Sequence, residues 1–114
     1  MASTSKVLAP KQAIPNAAAT PIYSSPANGK GTYVDTCDLV CYGTGTHNVT
    51  TWIVPPSGAA ANVNKHSIAK SVSTSATVSL TELAGRFLEA GAAIYMQSSV
   101  FDEISVYITG RELT

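Results

Sequence analysis

Charge is scarce in this sequence. Only 12% of its 114 residues are charged, and seven basic residues cancel seven acidic ones. That is about half the usual charged share of a soluble protein. The basic residues are scattered from Lys6 to Arg111 without forming a stripe, so the footprint of a nucleic-acid binder is missing. No apolar run approaches the length that spans a bilayer, so no membrane partner is expected. Residues Met1 to Lys6 have no apolar stretch behind their single charge. A signal peptide is therefore not expected, and synthesis in a cytosol is. Aromatic residues make up only 7%.

Cysteine is limited to Cys37 and Cys41. On an extended strand, residues four apart lie about 13 Å from each other. A disulfide needs less than about 7 Å between Cα atoms. Both should face the same way as Leu39, as buried thiols. A metal site would need more ligands than this pair and two distant histidines supply.

Catalytic patterns are also missing. Serine is abundant, but no Gly-x-Ser-x-Gly elbow occurs. His47 lies in a turn-like stretch and His66 leads a strand, each without a partner suggested by spacing. Asp102 and Glu103 are adjacent, and Asp35 and Asp38 are three apart, so on regular strands each pair splits between two faces. Gly43-Thr44-Gly45 lacks the lysine and helix of a phosphate loop. No cofactor, no metal and no enzymatic activity are expected.

What is present is alternation. Ile104, Val106 and Ile108 share one face of a strand, while Ser105, Tyr107 and Thr109 share the other, up to Gly110. Similar runs cover Thr32 to Tyr42, Val49 to Val54, Ser67 to Val72, Ser75 to Leu80 and Ala92 to Ser98. Turn residues separate them, notably Asn28-Gly29-Lys30-Gly31 and Pro55-Pro56-Ser57-Gly58. Thr81 to Gly91 has apolar residues at helical spacing and is expected to form a short turn or helix. The pattern predicts an all-β fold: a small antiparallel β-sandwich or jelly roll with at most one short helix.

Residues 1–30 differ from the remainder, 31–114, which is read as the sandwich domain. Four of the six prolines fall in this first segment: Pro10, Pro15, Pro21 and Pro26. Proline at that density forbids a long helix and disfavours a central strand. The segment should be an extended arm with possible edge strands. It either reaches a partner or wraps its own domain. Its candidate contact residues are Lys6, Val7, Leu8, Ile14, Ile22 and Tyr23. Trp52, Tyr95 and Tyr107 are candidate exposed aromatics, and a glycan is the ligand such aromatics would suit, although Trp52 beside Ile53 and Val54 also reads as core. A weakly charged surface is either covered by other subunits, as in a homo-oligomer, or solvated by its Ser and Thr.

The order of the pieces resembles a group of small phage virion proteins over residues 20–113. The resemblance rests on Tyr23-Ser24-Ser25-Pro26, then a strand and polar turn from Cys37 to Thr46. Trp52 to Val54 follow, leading through Pro55-Pro56-Ser57-Gly58 to Ala59-Ala60-Ala61-Asn62. Next come Leu83-Ala84-Gly85 to Gly91-Ala92-Ala93-Ile94, and the ending Ile108-Thr109-Gly110-Arg111-Glu112. Such proteins often carry Gly-Asp where this chain has Gly91-Ala92. The resemblance implies a non-enzymatic β-sandwich or jelly-roll component of a virion, assembled in the host cytoplasm. Its partners would be a major capsid protein or tail and fibre subunits. It supplies no catalytic residues. A decoration or cement subunit, a tail or fibre-joint adaptor, and a carbohydrate-binding adhesin are the resulting expectations.

Overall fold

The computed structural model describes residues 3–18 and 20–114. The first two residues of the expected arm, and Ala19 of its alanine run, lie outside the described residues. Nine strands follow in order: β1 (Ser3–Ala13), β2 (Tyr23–Ser24), β3 (Gly31–Cys41), β4 (His47–Val54), β5 (Lys65–Val72), β6 (Thr77–Ser79), β7 (Phe87–Leu88), β8 (Ala93–Ser98) and β9 (Ile104–Leu113). A 3-10 turn, Asn62–Asn64, precedes β5.

The strands form two antiparallel sheets. The larger runs β1-β9-β3-β6, with β7 also paired to β3, and the smaller runs β2-β8-β4-β5. Their pairings are nested about the 55–64 connection: β4 with β5, β3 with β6 and β7, β2 with β8, β1 with β9. The two halves of the chain therefore behave as one long hairpin. Rolling it up brings β9 onto β3 and β8 onto β4. That connectivity is a jelly roll. The expected β-sandwich class is what the chain adopts.

The core lies between the sheets. From the larger sheet come Val34, Cys37, Leu39, Cys41, Ile104, Val106 and Ile108, and from the smaller come Val49, Ile94 and Met96, all buried. β9 keeps its period of two, buried at every second residue from Ile104. Cys37 and Cys41 face inward with Leu39 as free thiols. Burial, aided by Asp38, pushes the Cys37 thiol up to about 12, so it is not a poised nucleophile.

Several expectations are resolved or corrected. Of the two courses open to the N-terminal segment, residues 3–30 wrap their own domain. β1 lies along β9 and β2 along β8, one at an edge of each sheet. Proline is tolerated because Pro10 sits at a register shift on an edge strand, where no ladder donor is required. Leu8, Ile14 and Tyr23 are buried in the chain's own core, with Ile22 packed against it, so four of the six candidate contacts stabilise this molecule internally. Trp52 is 6% exposed and is not a surface aromatic. Thr81 to Gly91 makes one turn, in which Leu83 and Ala84 donate to the Leu80 carbonyl, and then becomes β7. Its buried Leu80, Leu83 and Leu88 mimic helical spacing because the turn and the short strand point them to one core. β9 does not stop at Gly110 but continues to Leu113. Finally, a bulge at Asp35 leaves Asp35 and Thr36 both exposed between buried Val34 and Cys37. That extra residue cancels the parity that would place Asp35 and Asp38 on opposite faces.

Ser25, Thr32, Thr51, Ser67 and Ser98 are buried polar residues, and Thr51 stands apart among them. Among the described residues, the Thr51 hydroxyl is buried with no hydrogen-bond partner, opposite Met96 on β8. An unsatisfied buried hydroxyl costs roughly 1–3 kcal/mol. Thr51→Val keeps the β-branched shape and removes that group. It is expected to raise stability by about 1 kcal/mol, read as a higher denaturant midpoint at unchanged slope.

Candidate interaction surfaces

Side chains with chemical character gather at four places. The first is the outer face of the larger sheet. Tyr33 of β3 and Phe87 of β7 pair across the strands, their ring centroids 5.0 Å apart at 56°. The Arg111 guanidinium lies 5.3 Å from the Tyr33 ring centre, and its Nε donates to Asp35 Oδ1 at 3.2 Å. The Thr36 and Thr109 hydroxyls share a hydrogen bond of 2.6 Å. Val7 lies opposite Thr109 on β1. Phe87, Val7 and Tyr33 are 46%, 41% and 37% exposed. Tyr107, opposite Asp38, is half-buried on this same face.

The second is a polar latch that ties the N-terminal strands down. The Tyr23 hydroxyl donates to Glu112 Oε2 at 2.5 Å and lies 3.0 Å from the Thr32 hydroxyl, which in turn bonds Ser25 at 2.8 Å. Lys6 Nζ donates to Glu112 Oε1 at 3.1 Å. The Tyr23 hydrogen bond, supported by Lys6, holds the Glu112 carboxyl below its ordinary range. Burial, then Glu112, pushes the Tyr23 hydroxyl well up. A depressed carboxylate contributes stability that is present above its unfolded value of about 4.3 and is lost as pH falls through the folded value. Stability is therefore expected to fall as pH drops below about 4. Glu112→Gln should flatten that acid slope in denaturant titrations run across pH. An unchanged slope would remove the latch from the account. The Glu82 carboxyl is also lowered, first by a hydrogen bond from its own backbone and then by Lys70, but its side chain is 41% exposed, and solvent screens such interactions.

The third is the loop end where β3 meets β4 and β9 begins. The Thr44 amide donates to Glu103 Oε1 at 2.8 Å, and the His47 Nε2 lies 3.5 Å from Glu103 Oε2 and 2.7 Å from the Thr44 carbonyl. The Tyr42 hydroxyl donates to Asp102 Oδ1 at 2.5 Å, which pushes that hydroxyl up to about 12. Asp102 and Glu103 thus each fasten the 42–47 turn to the chain before β9. His66 is tied to the Glu82 carbonyl at 2.5 Å. His47 is engaged within its own turn, and His66 joins β5 to the turn that follows β6. Among the described residues, no three His, Cys, Asp or Glu side chains gather as metal ligands.

The fourth is the outer face of the smaller sheet. Thr50 of β4 lies opposite Gln97 of β8, and Trp52 opposite Tyr95. Asn48 meets Ser99, whose hydroxyl accepts the Asn48 amide at 3.0 Å. Asn48, Thr50, Gln97, Ser98 and Ser99 line a cleft of about 180 Å³. A larger apolar groove of about 520 Å³ opens at one side of the sandwich, between Ile53, Pro55, Phe87 and Leu88.

Of the residues singled out from sequence, Val7 is the exposed apolar member of the six N-terminal ones, while Lys6 is exposed and engaged by Glu112. Tyr95 and Tyr107 are half-buried on opposite sheets. Reading for motifs missed Tyr33, Phe87 and Arg111, which come together only through strand register. The sequence signal for them was the outward parity of Tyr33. In comparisons with protein-family models, curated proteins and solved structures, nothing matches this chain.

Proposed function

We propose that this chain is a non-enzymatic structural protein of a bacteriophage virion, acting as a capsid decoration or cement subunit. The observation that carries this reading is the outer face of the larger sheet. Val7, Tyr33 and Phe87 expose apolar surface there, and the charge of Arg111 is matched internally by Asp35. At its Tyr33–Phe87–Arg111 end such a face can be desolvated without stranding a lone charge, which is the expensive step in burial, while Asp38 lies further along β3, opposite Tyr107. Aromatic and arginine side chains are also the types that anchor interfaces. The resemblance across residues 20–113 and the jelly-roll connectivity support the virion setting by analogy. The mechanism is contact between this face and neighbouring subunits, burying on the order of 1,000 Å² or more. Repetition over a lattice adds many modest contacts by avidity.

The test compares the native chain with the double variant Tyr33→Ser, Phe87→Ser in co-sedimentation with undecorated phage capsids. Sedimentation velocity of each protein alone runs alongside. Native protein should bind in amounts proportional to the lattice, and the variant should lose at least about tenfold in affinity, the scale of one lost anchor. Equal binding by both would clear this face of the role. No capsid binding by the native chain would reject decoration and turn attention to a tail or fibre joint.

A further inference from the structure

We infer that the outer face of the smaller sheet holds a binding site for one uncharged sugar residue, centred on Asn48, Thr50, Gln97 and Ser99. These four side chains form two cross-strand couples, Thr50 with Gln97 on paired positions and Asn48 with Ser99 at the end of the ladder. They line a cleft of about 180 Å³ together with Ser98. That volume is well below the ~300 Å³ lower end of pockets for drug-sized ligands and is on the scale of a single small ring.

The hydrogen bonds show what the cleft has left to offer. Thr50 Oγ1 accepts the Ala69 amide at 3.2 Å, and Ser99 Oγ accepts the Asn48 amide at 3.0 Å. Each hydroxyl is thus oriented by a backbone donor while its own proton remains to be given. Gln97 Nε2 donates to the Asn16 carbonyl at 3.2 Å, which fixes the amide and leaves its Oε1 as an acceptor. Asn48 adds both a donor and an acceptor. The cleft therefore presents pre-oriented donors and acceptors of both kinds and no ionised group. A neutral polyol satisfies that set. Within the cleft lining a phosphate or carboxylate finds donors but no positive charge, and a cation finds no carboxylate.

The next step along both strands is aromatic. Tyr95 lies two residues before Gln97 on β8, and Trp52 two residues after Thr50 on β4, as directly paired neighbours. Trp52 is 6% exposed, so it does not meet ligand itself. Tyr95 is half-buried, outside the cleft lining but two residues along the same strand face from Gln97. A hydroxyl-reading patch beside an aromatic ring suits a pyranose, whose hydroxyl rim and C–H face need those two surfaces side by side. Lys65 stands opposite Trp52, at the aromatic end of the site. This site does not depend on the virion reading, and either can fail alone.

The experiment is a titration of the full-length, ¹⁵N-labelled chain followed by amide shifts. The probes are glucose, galactose, mannose and N-acetylglucosamine, each to about 50 mM to reach millimolar affinities, with inorganic phosphate as the anionic comparison. At least one sugar should give saturable shifts centred on residues 48–50 and 95–99, while phosphate gives none there. The exposed-side variants Asn48→Ala and Gln97→Ala, confirmed folded by their spectra, should each weaken binding about tenfold, and Tyr95→Ala should do the same. No saturable shift with any sugar, saturation at another place, unchanged binding in the variants, or tighter phosphate binding at this cleft would each overturn the assignment.

Discussion

A chain that begins at Pro15 is expected to lose cooperative folding altogether. The deleted segment is β1, whose ladder runs along β9 from Ser3 to Ala13. With it go Leu8, Ala9 and Ile14 from the core, and the Ile14 amide that donates to the Ile104 carbonyl at 2.8 Å. Truncating one buried Leu or Ile to Ala costs roughly 2–5 kcal/mol. Two such losses, plus a ladder, approach the whole 5–15 kcal/mol that holds a typical domain together. The Lys6 half of the polar latch is lost as well, leaving Glu112 with Tyr23 alone. The shortened protein would also expose β9 as a long unpaired edge, which favours aggregation. Circular dichroism melts and amide spectra check this directly. A sigmoidal melt within about 5 °C of the intact chain, a shift worth about 1 kcal/mol or less, would mean that residues 1–14 are dispensable to the fold.

That expectation rests on one of the two courses the sequence leaves open for the same residues, and the choice between them is physical. Proline density reports that a segment cannot be a helix or a central strand. It does not report whether an edge strand finds a partner nearby. Here Pro10 occupies a bulge on the rim, and Leu8 and Ile14 find the core because β1 closes the nested pairing. The alternating runs were legible because period two survives in β9 and in most of β3, where one face is buried. Register was not legible. The Asp35 bulge, the Trp52–Tyr95 couple and the grouping of Asn48, Thr50, Gln97 and Ser99 depend on which residue stands opposite which, across as many as 76 positions of chain. Thr81 to Gly91, read as a short turn or helix, takes the turn and then a short strand that was not legible. Apolar spacing of three and four marks residues that point to one core, and a tight turn followed by a strand satisfies that as well as a helix does.

Gly110 shows the same limit at a single residue and carries the second large prediction. In the sequence it ends an alternating run, as a strand-breaking glycine does. In the structure it stays within β9, paired with Lys6 on one side and Val34 on the other. Its position continues the inward series of Ile104, Val106 and Ile108, and it too is buried. A Cβ here would fall inside contact distance of the Tyr33 carbonyl oxygen, 2.6 Å from Leu8 Cδ1 and 3.3 Å from Leu8 Cγ. The missing side chain is the space that Leu8 fills, and both flanking strands shift register beside it. Gly110→Ala must therefore push backbone apart in the middle of three paired strands. Overpacking of this kind costs about 1–3 kcal/mol, and a rigid carbonyl neighbour places the change at the upper end. Gly85→Ala is the informative comparison: its φ is +82°, with nothing within 4 Å of the added carbon, so it carries only the conformational penalty of about 1–2 kcal/mol. Thermal melts should show Gly110→Ala falling further than Gly85→Ala, with the Leu8→Ala, Gly110→Ala double variant losing less than the sum of its singles because Leu8 no longer competes for the space. Strict additivity in that cycle, or a Gly110→Ala variant as stable as the native chain, would show that Leu8 and Gly110 do not share one packing site.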